Sequence, residues 1–118
     1  MSLNIIFMGT PEFALPILES LCNSNHKILS VYTQPAKKKA RGQKILPSPV
    51  QEFASKMKIP IRSPENLNSE FEFDFIKKSM PDVVIVVAYG KILPEKILNI
   101  SNIKFINIHA SIFPRWRG

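Results

Sequence analysis

The 118-residue sequence predicts an α/β fold, an open sheet of mainly parallel strands with helices on its flanks. Two short apolar runs, residues 4–9 and 83–88, are typical of strands that a parallel sheet buries on both faces. Stretches with apolar residues at helical spacing lie between such runs, and a strand, helix, strand unit is parallel and right-handed by default. This alternation along the chain predicts a Rossmann-like architecture.

The first helix is expected directly after the strand at 4–9. Thr10 is predicted to cap this helix, and Pro11 suits its first position. Because Pro16 removes a ladder donor, the regular helix either starts near Phe13 or kinks. The predicted buried stripe of this helix comprises Ala14, Ile17, Leu18 and Leu21.

The remaining elements are predicted from the same signals. Further strands are expected at residues 28–33, 59–61 and 104–109, the second of them an edge strand because it contains a proline. Further helices are expected at residues 49–58, 70–79 and 94–98, and Ser48 is the expected cap of the first. The candidate buried positions on these helices are Val50, Phe53, Ala54, Met57, Phe71, Phe75 and Ile76.

A basic segment, residues 34–48, connects the second strand to the second helix. Its basic residues are Lys37, Lys38, Lys39, Arg41 and Lys44. A structureless connection of this length is unusual in a compact domain, and such loops are usually functional or disordered. The composition leaves two interpretations open: a functional loop, or a solvated and mobile run of charge.

The last predicted strand ends in a pair of polar side chains, Asn107 and His109. Side chains alternate along a strand, so these two share one face while Ile106 and Ile108 share the other. The carboxyl end of a strand is where open α/β sheets bind ligands. An amide and an imidazole aimed at one oxygen can stabilise the anion of a tetrahedral intermediate, which indicates acyl transfer. The alternative is that both side chains only hydrogen-bond to neighbouring loops.

Other functions are disfavoured by the sequence. Residues 8–12 contain one glycine and match neither a dinucleotide fingerprint nor a phosphate-binding loop, which argues against NAD and ATP. No cluster of histidine, cysteine and carboxylate residues has metal-ligand spacing, so no metal is expected. His26 is expected in a surface turn without a partner.

Charge and hydropathy favour a cytoplasmic domain. The net charge of +7 attracts phosphate-rich partners at long range. Cys22 is the single cysteine, so an internal disulfide is excluded, and it is expected to pack in a helix. No apolar run approaches the ~18–20 residues of a membrane span, and the first residues do not resemble a signal peptide, so no membrane is expected as a partner.

Several short motifs together resemble a known family. They are IFMGTPEFA (6–14), VYTQP (31–35), RG (41–42), PSPV (47–50), VAYG (87–90), ILP (92–94), NIH (107–109) and PRWRG (114–118). From end to end the chain resembles the bacterial methionyl-tRNA formyltransferases. The Asn-x-His element is common to the folate-dependent formyltransferases, whereas the turn at 8–13 and the insertion at 34–48 resemble the members that act on tRNA.

The resemblance implies transfer of a formyl group from 10-formyltetrahydrofolate to the α-amino group of methionine esterified to initiator tRNA, without a metal. In the family, the residues that match Asn107 and His109 polarise the formyl carbonyl and stabilise the oxyanion, together with an aspartate further along the sequence. The implied folate-binding residues are Ala88, Tyr89, Gly90, Ile92, Leu93, Ser111, Ile112, Phe113 and Pro114.

The resemblance also implies a role for the basic segment, because the matching insertion in the family contacts the acceptor end of tRNA. The implied tRNA-binding residues are Lys37, Lys38, Lys39, Arg41 and Lys44, and Arg41 matches the key arginine of the family. Residues 36–40 read AKKKA where DRPAG is more common, a difference expected to alter how the loop folds on RNA. The added lysines should strengthen salt-sensitive contacts with phosphate.

A full member of this family continues through the rest of the catalytic domain into a β-barrel domain. Residues 1–118 match the amino-terminal part of the catalytic domain, a truncated formyltransferase fold, and we expect a fragment that folds but lacks full activity alone. The full-length protein is expected to be a monomer. Two alternatives stay open: another folate-dependent formyltransferase that acts on a small amine, and a non-catalytic RNA-binding fragment.

Overall fold

The computed structural model describes residues 1–38 and 44–109. The strands are β1 (Asn4–Gly9), β2 (Lys27–Tyr32), β3 (Lys37–Lys38), β4 (Ile45–Leu46), β5 (Ile61–Arg62), β6 (Val83–Val87) and β7 (Lys104–Ile108). The helices are α1 (Leu15–Cys22), α2 (Pro49–Lys56), α3 (Glu70–Ser79) and α4 (Glu95–Leu98), and a 3-10 turn at Glu12–Ala14 precedes α1.

Within the described residues, five strands form one parallel sheet in the order β5-β2-β1-β6-β7. The predicted α/β fold is confirmed. The chain builds outward from β1 through β2 to β5 and then crosses back to β6, so the strand order reverses between β1 and β6. Because the strands are parallel, their carboxyl ends meet at one edge of the sheet, and ligands of open α/β sheets bind where the order reverses.

Helices lie on both faces of the sheet, as the alternation of elements predicts. The face under α1 and α2 is buried through Phe7, Ala14, Leu18, Val31, Val50, Ala54 and Val87. The opposite face, under α3 and α4, is buried through Ile6, Met8, Tyr32, Leu67, Ile76, Val84, Val86, Tyr89 and Ile97. Successive residues of β1 therefore contribute to opposite layers, which explains its continuous apolar sequence.

Pro16 determines where the first regular helix begins. Helix α1 starts at Leu15, so Pro16 lies in the first turn, where its missing N–H is not needed. The two expectations are a regular helix that starts near Phe13 and a kinked helix. The structure shows the first, because α1 starts two residues after Phe13. The predicted cap is wrong, because the hydroxyl of Thr10 donates instead to the carbonyl oxygen of Tyr89, 2.7 Å away. The Ser48 cap of α2 is confirmed, since its side chain accepts from the backbone N–H of Gln51.

Two predicted core positions lie at the surface. Met57 is 49% exposed because α2 ends at Lys56 and leaves it in the cap position. Phe71 is 69% exposed, and the guanidinium carbon of Arg62 lies 5.2 Å from the centre of its ring. Both residues satisfy the helical spacing. Met57 follows the last residue of α2, and Phe71 faces away from the packed side of α3.

Two expectations about irregular regions are also wrong. His26 has a partner, because its Nδ1 accepts a hydrogen bond from the backbone N–H of Leu3 at 2.9 Å. The basic segment is not structureless throughout, because β3 and β4 pair antiparallel with Lys37 opposite Leu46 and Lys38 opposite Ile45. Backbone pairing thus brings the two sides of the segment together. Residues 39–43 lie outside the described part of the chain.

A partly buried ion pair connects α3 to strand β5 of the sheet. Arg62 donates from Nε and Nη2 to the two carboxylate oxygens of Glu72, at 3.0 and 2.9 Å. The hydroxyl of Tyr32 donates to the same carboxylate at 2.7 Å. Glu72 is only 7% exposed, and these three donors replace the water that its charge would otherwise bind.

A second buried tyrosine, Tyr89, packs edge-on against Tyr32 with ring centres 6.5 Å apart. Among the described residues, its hydroxyl has no hydrogen-bond partner. Burial, with a smaller contribution from the charge of Glu72, raises the pKa of Tyr89 to about 12, so the phenol is neutral at physiological pH. The two neighbouring tyrosines thus differ in one respect: only Tyr32 uses its hydroxyl within the described residues.

Substitution by phenylalanine should separate these two tyrosines. In the full-length protein, Tyr32→Phe removes a hydrogen bond to a buried carboxylate and should lower the free energy of unfolding by ~1.5–3 kcal/mol. Tyr89→Phe removes no such bond and should change that free energy by less than ~0.5 kcal/mol or raise it. Chemical denaturation of both variants measures the difference, and equal losses would contradict this description.

Candidate active site

Asn107 and His109 lie at the carboxyl end of β7. Strand β7 pairs with β6 so that Asn107 is opposite Val86 and Ile108 opposite Val87. Phe105 packs with the layer under α3 and α4, whereas Ile108 packs with the opposite layer. Alternation along the strand therefore puts Asn107 on the same side as Phe105, and His109 follows at the next equivalent position.

Both side chains line one open cleft of about 510 Å³, which we call the Asn107 cleft. Its other lining residues are Val86, Ala88, Tyr89, Gly90, Lys91, Leu93, Leu98, Phe105 and Ile106. Four residues of the implied folate group are thus present in the lining. Ile92 is 88% exposed and is not among the lining residues. The volume lies within the ~300–1,000 Å³ of typical small-molecule sites.

The wall of this cleft is held by hydrogen bonds to the carbonyl oxygen of Tyr89. The hydroxyl of Thr10 donates to that oxygen at 2.7 Å, and Nε2 of Gln34 donates to it at 3.1 Å. The backbone N–H of Gln34 donates in turn to the Thr10 hydroxyl at 3.3 Å. The loops that follow β1, β2 and β6 are therefore tied together at the carboxyl edge of the sheet.

The backbone around Tyr89 adopts two left-handed conformations, at Ala88 with φ +51° and at Gly90 with φ +87°. Gly90 also lies directly against the side chain of Gln34, because a Cβ atom on Gly90 would be 1.9 Å from Gln34 Nε2. The backbone conformation therefore favours glycine at this position, and a side chain here would also displace the amide of Gln34.

A second cleft, of about 400 Å³, lies on the other side of this wall beside the basic segment, and we call it the Lys37 cleft. Its lining residues are Thr10, Pro11, Glu12, Gln34, Pro35, Lys37, Leu46, Pro47, Ser48 and Pro49. The hydroxyls of Thr33 and Ser48 are 2.6 Å apart and join the two ends of the basic segment. Thr10 and Gln34 line the Lys37 cleft, whereas Tyr89, their common hydrogen-bond partner, lines the Asn107 cleft.

Several sequence-predicted site residues fall elsewhere. Lys37 and Lys38 form β3, and Lys44 is exposed immediately before β4. The others, Lys39, Arg41, Ser111, Ile112, Phe113 and Pro114, lie outside the described residues. In the part of the chain that the structure covers, no three histidine, cysteine or carboxylate residues are grouped to hold a metal ion. Across the same ranges, no helix is long and apolar enough to cross a membrane.

Sequence reasoning missed Thr10 and Gln34 as wall residues. The sequence predicts that Thr10 caps a helix, and it gives Gln34 no role beyond the first position of the basic segment. Both are separated from Tyr89 by long stretches of chain, 79 and 55 positions. One signal was available: each follows a parallel strand, and parallel strands bring the residues that follow them to one edge.

Substitution of Gly90 should test the wall. In the full-length protein, Gly90→Ala should lower the free energy of unfolding by ~1–3 kcal/mol, because alanine is strained at this φ and meets Gln34. The double variant Gly90→Ala with Gln34→Ala should recover only the steric part of the loss. Thermal unfolding measures both effects. A Gly90→Ala variant as stable as the original protein would contradict this geometry.

Comparison with known proteins identifies the family of this chain. The family described as formyl transferase matches residues 3–118. The chain is 51% identical over 118 residues to methionyl-tRNA formyltransferase of Coxiella burnetii, and 50% identical over 117 residues to that of Sulfurihydrogenibium sp.. These alignments cover 100% and 98% of this chain but 38% of each relative. The chain thus spans well under half the length of the curated relatives that it matches.

Solved structures share the fold. Phosphoribosylglycinamide formyltransferase from Anaplasma phagocytophilum superposes with a TM-score of 0.65 at 21% identity, covering 100% of this chain and 54% of that chain. The enzyme of the same name from Coxiella burnetii gives 0.60 at 14% identity, covering 100% and 55%. At these identities the likeness concerns the sheet and its helices. Because the family match spans nearly every residue, the chain belongs to the formyl transferase family.

Proposed function

We propose that this protein transfers a formyl group from 10-formyltetrahydrofolate to the α-amino group of methionine carried by initiator tRNA. The present chain contributes the amino-terminal part of the catalytic domain. One observation carries the proposal: the amide of Asn107 and the imidazole of His109 line the same cleft as the loop from Ala88 to Lys91. Relatives named methionyl-tRNA formyltransferase, 46–51% identical to the chain, support the choice of substrates.

The residues of the Asn107 cleft suit a flat ring that carries polar groups. Leu93, Leu98 and Phe105 provide apolar surface, and Asn107 and His109 provide hydrogen-bonding groups. Sites of this kind combine an apolar lining with a few well-placed polar groups. The folate supplies a formyl group attached to nitrogen. The carbon of this formyl group is the atom that the amine attacks.

The chemistry assigned to Asn107 and His109 is stabilisation of negative charge and movement of a proton. As the amine nitrogen bonds to the formyl carbon, the carbonyl oxygen gains charge, and N–H donors from both side chains stabilise it. The bond from that carbon to the folate nitrogen then breaks, that nitrogen gains a proton, and the attacking nitrogen loses one. An imidazole has one nitrogen that can donate a proton and one that can accept it, so the ring of His109 is suited to move this proton. The aspartate that the resemblance implies further along the sequence is the expected partner that orients the ring.

We assign tRNA binding to the basic segment. Lys37 lies in β3, Lys44 lies immediately before β4, and both residues are exposed. Lys37 also lines the Lys37 cleft, and the pairing of β3 with β4 brings the backbone on the two sides of the segment together. The chain carries a net charge of +7, and contacts between such side chains and phosphate are strong at low salt and weaken as salt rises.

Alanine substitutions should separate catalysis from tRNA binding. In the full-length protein, Asn107→Ala and His109→Ala should each lower kcat about 10²- to 10³-fold, the usual cost of losing one oxyanion donor. Their affinity for tRNA should be unchanged, because neither residue lies in the basic segment. Formylation of charged initiator tRNA measures the rate, and filter binding measures the affinity.

A matched variant reverses the pattern. Lys37→Ala with Lys44→Ala should weaken tRNA binding and lower its dependence on salt, yet leave kcat at saturating tRNA nearly unchanged. If the Asn107 and His109 variants kept full turnover, the assigned catalytic roles would be wrong. If a small amine outcompeted charged tRNA as the formyl acceptor, the assigned substrate would be wrong.

A further inference from the structure

We propose that Gln34 is a positioning residue that couples the two clefts, so that tRNA held on the side of the Lys37 cleft raises the affinity of the Asn107 cleft for folate. This inference rests on the proposed function, which supplies the two ligands. It adds a thermodynamic link between them and assigns that link to one side chain and its hydrogen-bond partners.

The first support is that Gln34 connects the two clefts by a hydrogen bond. It lines the Lys37 cleft, and its side-chain amide holds the carbonyl of Tyr89, which lines the Asn107 cleft. The Thr10 hydroxyl reinforces the link, because it accepts from the Gln34 backbone and donates to that same carbonyl. The wall between the clefts is therefore a small hydrogen-bonded unit contributed by three loops.

The second support is that Tyr89 and Gly90, which line the Asn107 cleft, have little freedom to move independently of Gln34. The Tyr89 ring is 1% exposed and packs edge-on against Tyr32. Gly90 lies so close to the Gln34 amide that a single added carbon would displace that amide from its present position. A displaced Gln34 would therefore remove one of the two side-chain hydrogen bonds to the Tyr89 carbonyl and open space beside Gly90, which changes the wall of the Asn107 cleft.

The third support is the short path from Gln34 to the basic segment. Pro35 follows at once and has a fixed φ, and β3 begins at Lys37. The contact between Thr33 and Ser48 closes the two ends of the segment on either side of this path. Whatever holds Lys37 therefore restricts the backbone that carries the Gln34 amide.

The sign of the coupling follows from this restriction. The two hydrogen bonds of Gln34, at 3.1 and 3.3 Å, are longer than the ~2.9–3.0 Å that is usual for N–H···O bonds. Contact with tRNA at Lys37 reduces the freedom of residues 34–37, so less conformational entropy is lost when Gln34 holds the wall. Folate then binds a wall that is already ordered, and by linkage folate strengthens tRNA binding by the same factor.

The test titrates 5-formyltetrahydrofolate, a stable formylated folate, into the full-length protein with and without saturating uncharged initiator tRNA. We expect tRNA to raise the folate affinity of the original protein at least ~5-fold, the lower end of usual couplings between sites. In Gln34→Leu this ratio should fall to about 1. Gln51→Leu is the matched control, since Gln51 lies on α2 outside both clefts, and it should retain the ratio.

A second pair of variants separates coupling from folding. Thr10→Ser keeps the hydroxyl that donates to Tyr89 and should retain the ratio, whereas Thr10→Val lacks it and should lose the ratio. Thermal unfolding identifies any variant that is not folded under the assay conditions. A Gln34→Leu protein whose folate affinity falls equally with and without tRNA overturns the coupling role, as does an original protein without any coupling. Failure of the original protein to bind folate at all would instead overturn the proposed function, and this inference with it.

Discussion

The carbonyl oxygen of Tyr89 is the point on which the candidate site depends. It accepts hydrogen bonds from the Thr10 hydroxyl and the Gln34 amide, and so joins the loops that follow three parallel strands. The strand order reverses between β1 and β6, and two adjoining clefts form at the edge where this oxygen lies. These bonds hold the residue between Ala88 and Gly90, the two positions with left-handed backbone.

Below this edge, the sheet and α3 provide a rigid base. β1 and β6 pair in continuous register from Ile5 opposite Val83 to Gly9 opposite Val87. The carboxylate of Glu72 accepts from Tyr32 and Arg62, and the Tyr32 ring supports that of Tyr89. The buried strands and the ion pair between Arg62 and Glu72 thus support the loops at the carboxyl edge of the sheet. The residues of the candidate site lie at that edge.

The sequence predicted the parts of the fold that depend on local pattern. The sequence identified the apolar runs at β1 and β6 and the polar pair at the carboxyl end of β7. Strand periodicity and burial on both faces are local properties, so a short stretch of sequence is enough to show them. The edge strand expected at 59–61 does lie at the edge of the sheet, but it begins only at Ile61. Pro60 contributes its carbonyl, which accepts from Val31. Proline has no N–H for the ladder, so the strand starts after it.

What the sequence did not reveal is how the loops contact one another. Thr10 has the residue type and position of a helix cap, and only the fold brings the Tyr89 carbonyl within reach of its hydroxyl. The pairing of β3 with β4 was likewise missed, because two-residue strands carry no periodic signal. Asn107 and His109 were found because chemistry and alternation coincide within three residues, although their catalytic roles stay predictions.

The most direct test of the account is a crystal structure of the full-length protein with 5-formyltetrahydrofolate. The account predicts that the ring lies in the Asn107 cleft against residues 88–93. It also predicts that Asn107 Nδ2 and a ring nitrogen of His109 converge on one position at ~3 Å from each, where the carbonyl oxygen of a transferable formyl group would lie. A folate bound away from this cleft, or side chains of Asn107 and His109 that point to different places, would contradict it.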